Sequence, residues 1–70
     1  MLIIMPVVKI DMWSGRTEEQ KENIIKEVTD AVAKSVGCPK EAVTVVIDDI
    51  PKENWGSGGE QHSKKFKNIP

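Results

Sequence analysis

Residues 17–37 read TEEQKENIIKEVTDAVAKSVG, and this segment carries a helix signal at each end. Thr17 and Gln20 fit a capping box, in which the threonine hydroxyl accepts from the Gln20 amide and the glutamine side chain reaches back. Gly37 suits the left-handed conformation that closes a helix. The sequence therefore predicts one helix over about residues 18–36.

Strand-like sequences flank this helix on both sides. In residues 2–13, the apolar side chains of Val8, Ile10 and Met12 alternate with polar ones, a period of two that is typical of a strand with one apolar face. Residues 42–50 read AVTVVIDDI and form the second predicted strand. Two strands joined by a helix of about 19 residues make a βαβ unit, which requires parallel strands and a right-handed crossover.

The apolar residues of the helix recur at the spacing of one face, and that face can cover only one side of a two-stranded sheet. The expected stripe consists of Ile24, Ile25, Val28, Ala31, Val32 and Val36. The other sheet face and both sheet edges remain open. We therefore expect subunits to pair their sheets and to bury Val43, Val45 and Ile47, or the residues that alternate with them.

The small size of the chain also favours assembly. Its 70 residues form one domain at most, and a domain of this size is marginal as a monomer. Cys38 is the only cysteine and His62 the only histidine, so neither a disulfide within the chain nor a cysteine or histidine metal cluster is expected. We therefore predict a single domain over residues 1–70 that forms homo-oligomers.

Charge and hydropathy exclude several classes of partner. Ten Lys and Arg against eleven Asp and Glu give a net charge of −1, without the basic stripe of a nucleic-acid binder. Residues 62–70 carry three lysines around Phe66 and are predicted to form a solvated basic tail, with a patch for an acidic partner as the alternative. No run approaches the ~20 apolar residues of a membrane span. We expect a cytoplasmic protein that binds neither nucleic acid nor membrane.

Three short motifs carry a family resemblance: MP at residues 5–6, SGRT at residues 14–17 and WGSGGE at residues 55–60. With the helix and the valine-rich strand between them, they resemble the 4-oxalocrotonate tautomerase (2-hydroxymuconate tautomerase) family over residues 5 to about 61. The resemblance implies an α+β tautomerase fold, namely a βαβ unit with a short C-terminal hairpin, assembled as a homohexamer. It also implies an isomerase without cofactor or metal that moves a proton across an enol or dienol, as in the degradation of aromatic compounds.

Pro6 matches the amino-terminal proline that is catalytic in this family. A proline at the start of a chain carries a secondary amine, which can accept a proton and return it. If residues 1–5 remain attached, as an N-terminal extension or an unprocessed leader, the nitrogen is an amide with essentially no basicity. The alternative is therefore a catalytically silent oligomer of the same fold, in which Pro6 only begins an edge strand.

Arg16 and Trp55 match two substrate-binding positions of the family. Arg16 corresponds to the arginine that binds a substrate carboxylate, and its planar fork suits two parallel hydrogen bonds. A solvated turn residue is the alternative. Trp55 corresponds to an aromatic residue that walls the site, and it could also anchor a subunit contact. The implied substrate is a small 2-hydroxy-dienoate or 2-oxo acid, bound where subunits meet.

Thr44 is the main departure from the family, which carries a second arginine at this position to polarise the substrate oxygens. A threonine supplies no charge, so we expect weak activity on dicarboxylates or a different substrate. Lys9, Lys40 or Lys52 could replace the missing cation, and the sequence does not decide among them. Ser57 occupies the position at which related dehalogenases carry a glutamate that helps to add water, so hydration is not expected.

Overall fold

The computed structural model describes residues 5–70, which form a βαβ unit followed by a short hairpin. The elements are β1 (Val7–Trp13), α1 (Glu18–Val36), β2 (Thr44–Ile50), β3 (Gly56–Ser57), β4 (Glu60–Gln61) and α2 (His62–Lys65), with 3-10 turns at Lys40–Ala42 and Lys52–Asn54. β1 and β2 pair in parallel, whereas β3 and β4 pair antiparallel. The predicted α+β fold, with one long helix between parallel strands and a C-terminal hairpin, is confirmed.

The helix α1 begins and ends where the sequence predicts. At its start, the Gln20 amide donates to the Thr17 hydroxyl at 3.1 Å, and the Thr17 amide donates to Gln20 Oε1 at 2.9 Å. At its end, Gly37 has a φ of 79° and its amide donates to the Ala33 carbonyl at 2.9 Å. Both ends therefore satisfy backbone groups that a helix leaves without partners.

The second strand starts later than predicted. Residues 42–50 were expected to be extended, but Lys40–Ala42 form a 3-10 turn and β2 begins only at Thr44. In this turn the Ala42 amide donates to the Pro39 carbonyl at 3.0 Å. The proline fixes its own φ at −65°, a value that also suits the residue preceding such a turn.

The first strand also starts later than the predicted residues 2–13. Met5 and Pro6 precede β1, and residues 2–4 lie outside the described part of the chain. Pro6 has no amide hydrogen for the strand ladder. Its carbonyl nevertheless accepts from the Thr44 amide at 3.0 Å, so Pro6 is attached to the start of β2.

The register of β1 and β2 separates a covered sheet face from an open one. Ile10 pairs with Ile47, and the alternation of a strand puts Asp49 on the same face as Ile47. Because the Lys21 ammonium of α1 contacts the Asp49 carboxylate, this is the face that the helix covers.

Among residues 5–70, the first part of the opposite sheet face has no cover. It carries Val7, which is 68% exposed, and Val46, which is 42% exposed. On the same face the Lys9 ammonium lies 3.4 Å from the Asp48 carboxylate. Of the residues predicted to lie between subunits, Val45 and Ile47 face the helix, so it is the alternate residues of β2 that remain available for an interface.

The buried stripe of α1 is narrower than predicted. Half-buried or buried positions of the helix include Ile24, Val28, Val32 and also Ala33, whereas Ile25, Ala31 and Val36 are exposed. The cause is geometric: neighbouring strands lie about 4.8 Å apart, while a helix with side chains is about 10 Å wide. Two strands therefore cannot cover the flanks of the helix.

The single chain does not build a closed core. Within residues 5–70, only Ala33 and Ala42 are buried, each 7% exposed, and no side chain is fully buried. The radius of gyration is 15.5 Å, against about 11 Å for a compact chain of this length. No helix in this part of the chain is both long and apolar enough to span a membrane.

Candidate active site

The three predicted site residues lie at two ends of the sheet. Pro6 immediately precedes β1, whereas Arg16 follows the other end of β1 and Trp55 follows the corresponding end of β2. At about 3.3 Å per residue, the seven residues of β1 separate these two ends by roughly 20 Å. One chain therefore brings Arg16 and Trp55 to the same end of the sheet but leaves Pro6 at the other.

The proline end is formed by the starts of both strands. Pro6 is half-buried, and Thr44 is bonded to its carbonyl and pairs with Val7 in the sheet register. The position at which the resembled family carries a second arginine thus adjoins Pro6 of the same chain. Here it supplies a hydroxyl and no charge.

Arg16 lies in the short connection between β1 and α1. The Ser14 amide donates to the Ile50 carbonyl at 3.0 Å, which fixes the start of this connection to the end of β2. The Arg16 side chain is half-buried, and its Nη2 donates to the backbone oxygen of Pro70 at 2.8 Å. The guanidinium therefore already holds an oxygen acceptor.

Trp55 follows the 3-10 turn at Lys52–Asn54 and is half-buried. Its indole Nε1 donates to the Ile50 carbonyl at 2.9 Å. Its ring stacks on the His62 imidazole, with a centroid distance of 5.8 Å and an angle of 11° between the planes. Two independent contacts thus fix the orientation of this aromatic surface.

An aromatic cluster that the sequence reasoning missed surrounds Trp55. It contains Trp13, Trp55, His62 and Phe66, which are all the aromatic residues of the chain and its only histidine. Trp13 Nε1 donates to His62 Nδ1 at 3.0 Å, and the two residues are 49 positions apart. Because Nδ1 accepts, the neutral imidazole carries its proton on Nε2, which donates to the Ser57 hydroxyl at 3.1 Å.

The C-terminal residues are only partly solvated, in contrast to the predicted basic tail. Lys64, Lys65 and Lys67 are exposed, as expected, but His62 and Phe66 are half-buried in the aromatic cluster. Phe66, the residue after α2, explains this arrangement, since its ring centroid lies 5.6 Å from that of Trp13.

Lys52 joins the aromatic cluster from the turn ahead of Trp55. Its ammonium lies 4.6 Å from the Trp13 ring centroid, within the range of a cation–π contact. It donates to the Phe66 carbonyl at 2.8 Å and also contacts the Ile69 carbonyl. Of the three candidate lysines, Lys52 is therefore the one that contacts the aromatic cluster.

The other two lysines that could replace the missing arginine are paired elsewhere. Lys9 forms an ion pair with Asp48 on the open sheet face. Lys40, which follows the end of α1, has its ammonium 3.0 Å from the carboxylate of Asp30 in the helix. The hydrogen bond to the Asp30 carboxylate raises the pKa of Lys40. Among residues 5–70, no group of three or more metal-ligating side chains converges.

Comparison with known proteins assigns residues 6–65 to the family model described as tautomerase enzyme. The 2-hydroxymuconate tautomerase of Pseudomonas sp. (strain CF600) is 45% identical over 60 residues, which cover 86% of this chain and 95% of that protein.

Two solved structures extend the comparison to the fold. A 4-oxalocrotonate tautomerase isozyme from Methylibium petroleiphilum is 52% identical with a TM-score of 0.79, over 83% of this chain and 94% of its own. The heterohexameric 4-oxalocrotonate tautomerase from Chloroflexus aurantiacus J-10-fl is 28% identical with a TM-score of 0.82, and the match covers 86% of this chain and 97% of that chain. The segment matched by the family model contains Pro6, Arg16 and Trp55.

Proposed function

Because this chain belongs to the tautomerase family, a family of isomerases, we propose that it tautomerises a small 2-hydroxy-dienoate or 2-oxo acid without a cofactor. The observation that carries the proposal is the family match, which begins at Pro6 and runs through residue 65. The Pro6 amine accepts the proton of the enol hydroxyl and delivers a proton to a carbon of the conjugated system. The product is the corresponding ketone, and the amine is regenerated.

This chemistry requires that Pro6 be the first residue of the active chain. When a residue precedes it, the proline nitrogen is part of a planar peptide bond and its lone pair is delocalised into the carbonyl. Such a nitrogen cannot accept the proton. The active form therefore lacks residues 1–5, and a chain that keeps them is a silent oligomer of the same fold.

Arg16 binds a carboxylate of the substrate. Its guanidinium presents parallel donors that match the two oxygens of a carboxylate, and its present acceptor is also an oxygen. It lies two residues before α1, which starts at Glu18, so the positive end of the helix dipole favours a negative group nearby.

Trp55 forms the apolar wall of the site. The indole is held by the Ile50 carbonyl and by the stack on His62, so it offers a rigid planar surface to a conjugated substrate. Such a surface excludes water, which strengthens the electrostatic contacts of Arg16 with the substrate.

The complete site contains residues of more than one chain, because about 20 Å separates Pro6 from Arg16 within one chain. In residues 5–70, β1 pairs only with β2, so its other edge is open. Two β1 strands can pair antiparallel about a two-fold axis centred on Ile10. This pairing brings Pro6 opposite position 14 of the partner subunit, two residues before the partner's Arg16.

Further assembly of such pairs into a hexamer closes the remaining surfaces. The open face with Val7 and Val46 needs cover, and a relative of the same fold is a heterohexamer. We infer a homo-oligomer of this chain, with six subunits as the expected number.

We expect this chain to turn over dicarboxylates more slowly than family members that carry an arginine at the position of Thr44. Losing one charge-assisted contact to a developing oxyanion costs about 10²-fold in rate. Thr44 adjoins Pro6 without any charge, and this is the position from which such a contact would be made in the resembled family.

The test compares a chain that begins at Pro6 with the chain Met1–Pro70, each verified by intact mass. The shorter chain should ketonise 2-hydroxymuconate and phenylenolpyruvate faster than buffer does, whereas the longer one should not. Pro6→Ala, which replaces the secondary amine by a primary one, should lose most of the rate. Substantial turnover by verified Met1–Pro70 would exclude the proline amine, and no turnover by either chain would favour the silent oligomer.

A further inference from the structure

Arg16 and Lys52 bind the same short segment of the chain, residues 66–70. Arg16 Nη2 donates to the backbone oxygen of Pro70 at 2.8 Å, and the Lys52 ammonium contacts the carbonyls of Phe66 and Ile69. Phe66, Ile69 and Pro70 lie within five consecutive residues. The two cationic groups therefore bind the backbone of the same short segment.

Lys52 is held in place without a carboxylate partner in the described chain. The lysine–aspartate pairs of residues 5–70 are Lys9–Asp48, Lys21–Asp49 and Lys40–Asp30. Lys52 instead is half-buried over the Trp13 ring and donates to neutral carbonyls. A carboxylate adds the attraction between opposite charges to the hydrogen bond that a neutral carbonyl offers, so it would compete well for this ammonium.

We propose that Lys52 is a second substrate-binding cation, that it forms with Arg16 a two-point clamp for a dicarboxylate, and that the backbone of residues 66–70 fills this clamp in the absence of substrate. The tryptophans of the aromatic cluster supply the apolar surface for the carbon chain between the two carboxylates. This inference rests on the proposed function for its biological meaning, because the clamp serves the same site.

The clamp identifies the lysine that supplies a second cation for binding, while the charge missing at Thr44 still limits the rate. Lys9 and Lys40 lie in ion pairs away from Trp55, whereas Lys52 lies in the turn directly ahead of it. It also defines a specificity: a substrate with two carboxylates can replace the contacts of residues 66–70 at both cations, and a monocarboxylate can replace only one set.

Binding is tested without turnover, on the chain Met1–Pro70. Tryptophan fluorescence is followed during titration with adipate, a saturated dicarboxylate, and with hexanoate, its monocarboxylate counterpart. Adipate should bind about tenfold more tightly, since a hydrogen bond to a charged group contributes a factor of this order. Lys52→Met should remove the difference, and Lys26→Met, which changes an exposed lysine of α1, should preserve it.

Deletion of residues 67–70 separates a binding role of Lys52 from a structural one. The shortened chain ends in a Phe66 amide, because a free terminal carboxylate at this residue would itself pair with the Lys52 ammonium. It keeps Phe66 in the aromatic cluster but removes the acceptors of residues 69 and 70, so adipate should bind severalfold more tightly. If Lys52 only fastened the segment, Lys52→Met and the deletion would change affinity in the same direction. The clamp predicts opposite directions, weaker for Lys52→Met and tighter for the deletion.

Three results would overturn the clamp: equal binding of adipate and hexanoate, no effect of Lys52→Met, or weaker adipate binding after the deletion. None of these measurements depends on the Pro6 amine. Failure of the proposed tautomerase chemistry would appear instead as absent turnover by the chain that begins at Pro6, with the binding difference intact.

Discussion

Thr44 adjoins the residue on which the proposed chemistry depends. Its amide bonds the Pro6 carbonyl, and its side chain is exposed at the start of β2. An uncharged hydroxyl at this point can donate one hydrogen bond, but it cannot balance the negative charge that develops on a substrate oxygen during proton transfer. The rate, more than the affinity, should be limited by this residue.

Thr44→Arg should raise kcat for 2-hydroxymuconate by about tenfold or more in the chain that begins at Pro6, because the guanidinium stabilises charge that is present mainly in the transition state. Steady-state kinetics checks this prediction. Thr44→Leu controls for side-chain size without charge. Equal kcat values for the arginine and leucine variants would contradict the electrostatic role of this position.

The helix α1 positions the connection that carries Arg16. The capping box holds Thr17, the next residue, to the first turn of the helix. Because the Thr17 and Gln20 amides are both hydrogen-bonded, the helix starts at a defined residue, and the connection that carries Arg16 ends there.

Thr17→Ala should destabilise the fold by about 1 kcal/mol, because an N-cap hydroxyl contributes a free energy of this size. Urea denaturation at one fixed protein concentration measures the change, since the stability of an oligomer depends on concentration. Thr17→Ser keeps the hydroxyl and should remain within a few tenths of a kcal/mol of the original chain. A serine variant as unstable as the alanine variant would contradict the capping contribution.

The elements also differ in how far the sequence predicts them. The helix bounds follow from Thr17, Gln20 and Gly37, which are local signals, and both bounds are correct. The start of β2 does not follow, because the pattern of apolar residues cannot distinguish a strand from the 3-10 turn at Lys40–Ala42. The apolar periodicity reports on residues within one element. A short turn between two elements can contain the same residue types as a strand, so the pattern does not show where the turn ends.

The residues of the candidate site were proposed only where a motif matched a family. Arg16 and Trp55 lie at the same end of the sheet, and their proposed roles come from the resemblance alone. The contact between Trp13 and His62 joins residues 49 positions apart and follows no period, so no local pattern predicts it. No local pattern distinguishes Lys52 from the other two candidate lysines either. The choice of Lys52 rests on its contacts with the Phe66 carbonyl and the Trp13 ring.

The part of the chain that the structure describes, residues 5–70, leaves apolar surface open to solvent. Its sheet has one covered face, the exposed Val7 and Val46 mark the other, and its radius of gyration exceeds that of a compact domain. Burying apolar surface stabilises a protein by about 25 cal/mol per Å², so contacts between chains can supply stability that the chain alone lacks. The same contacts would bring Pro6 of one chain to Arg16 of another.

Complementation between two inactive variants tests this shared site. Pro6→Ala and Arg16→Ala, each in a chain beginning at residue 6, should be nearly inactive alone, but co-expression should restore turnover. With random pairing, on the order of a quarter of the sites combine an intact proline with an intact arginine from the partner. Native mass spectrometry verifies mixed oligomers, and separately purified variants mixed without subunit exchange serve as the control. If verified mixed oligomers were no more active than the two variants alone, the two residues would not act across chains.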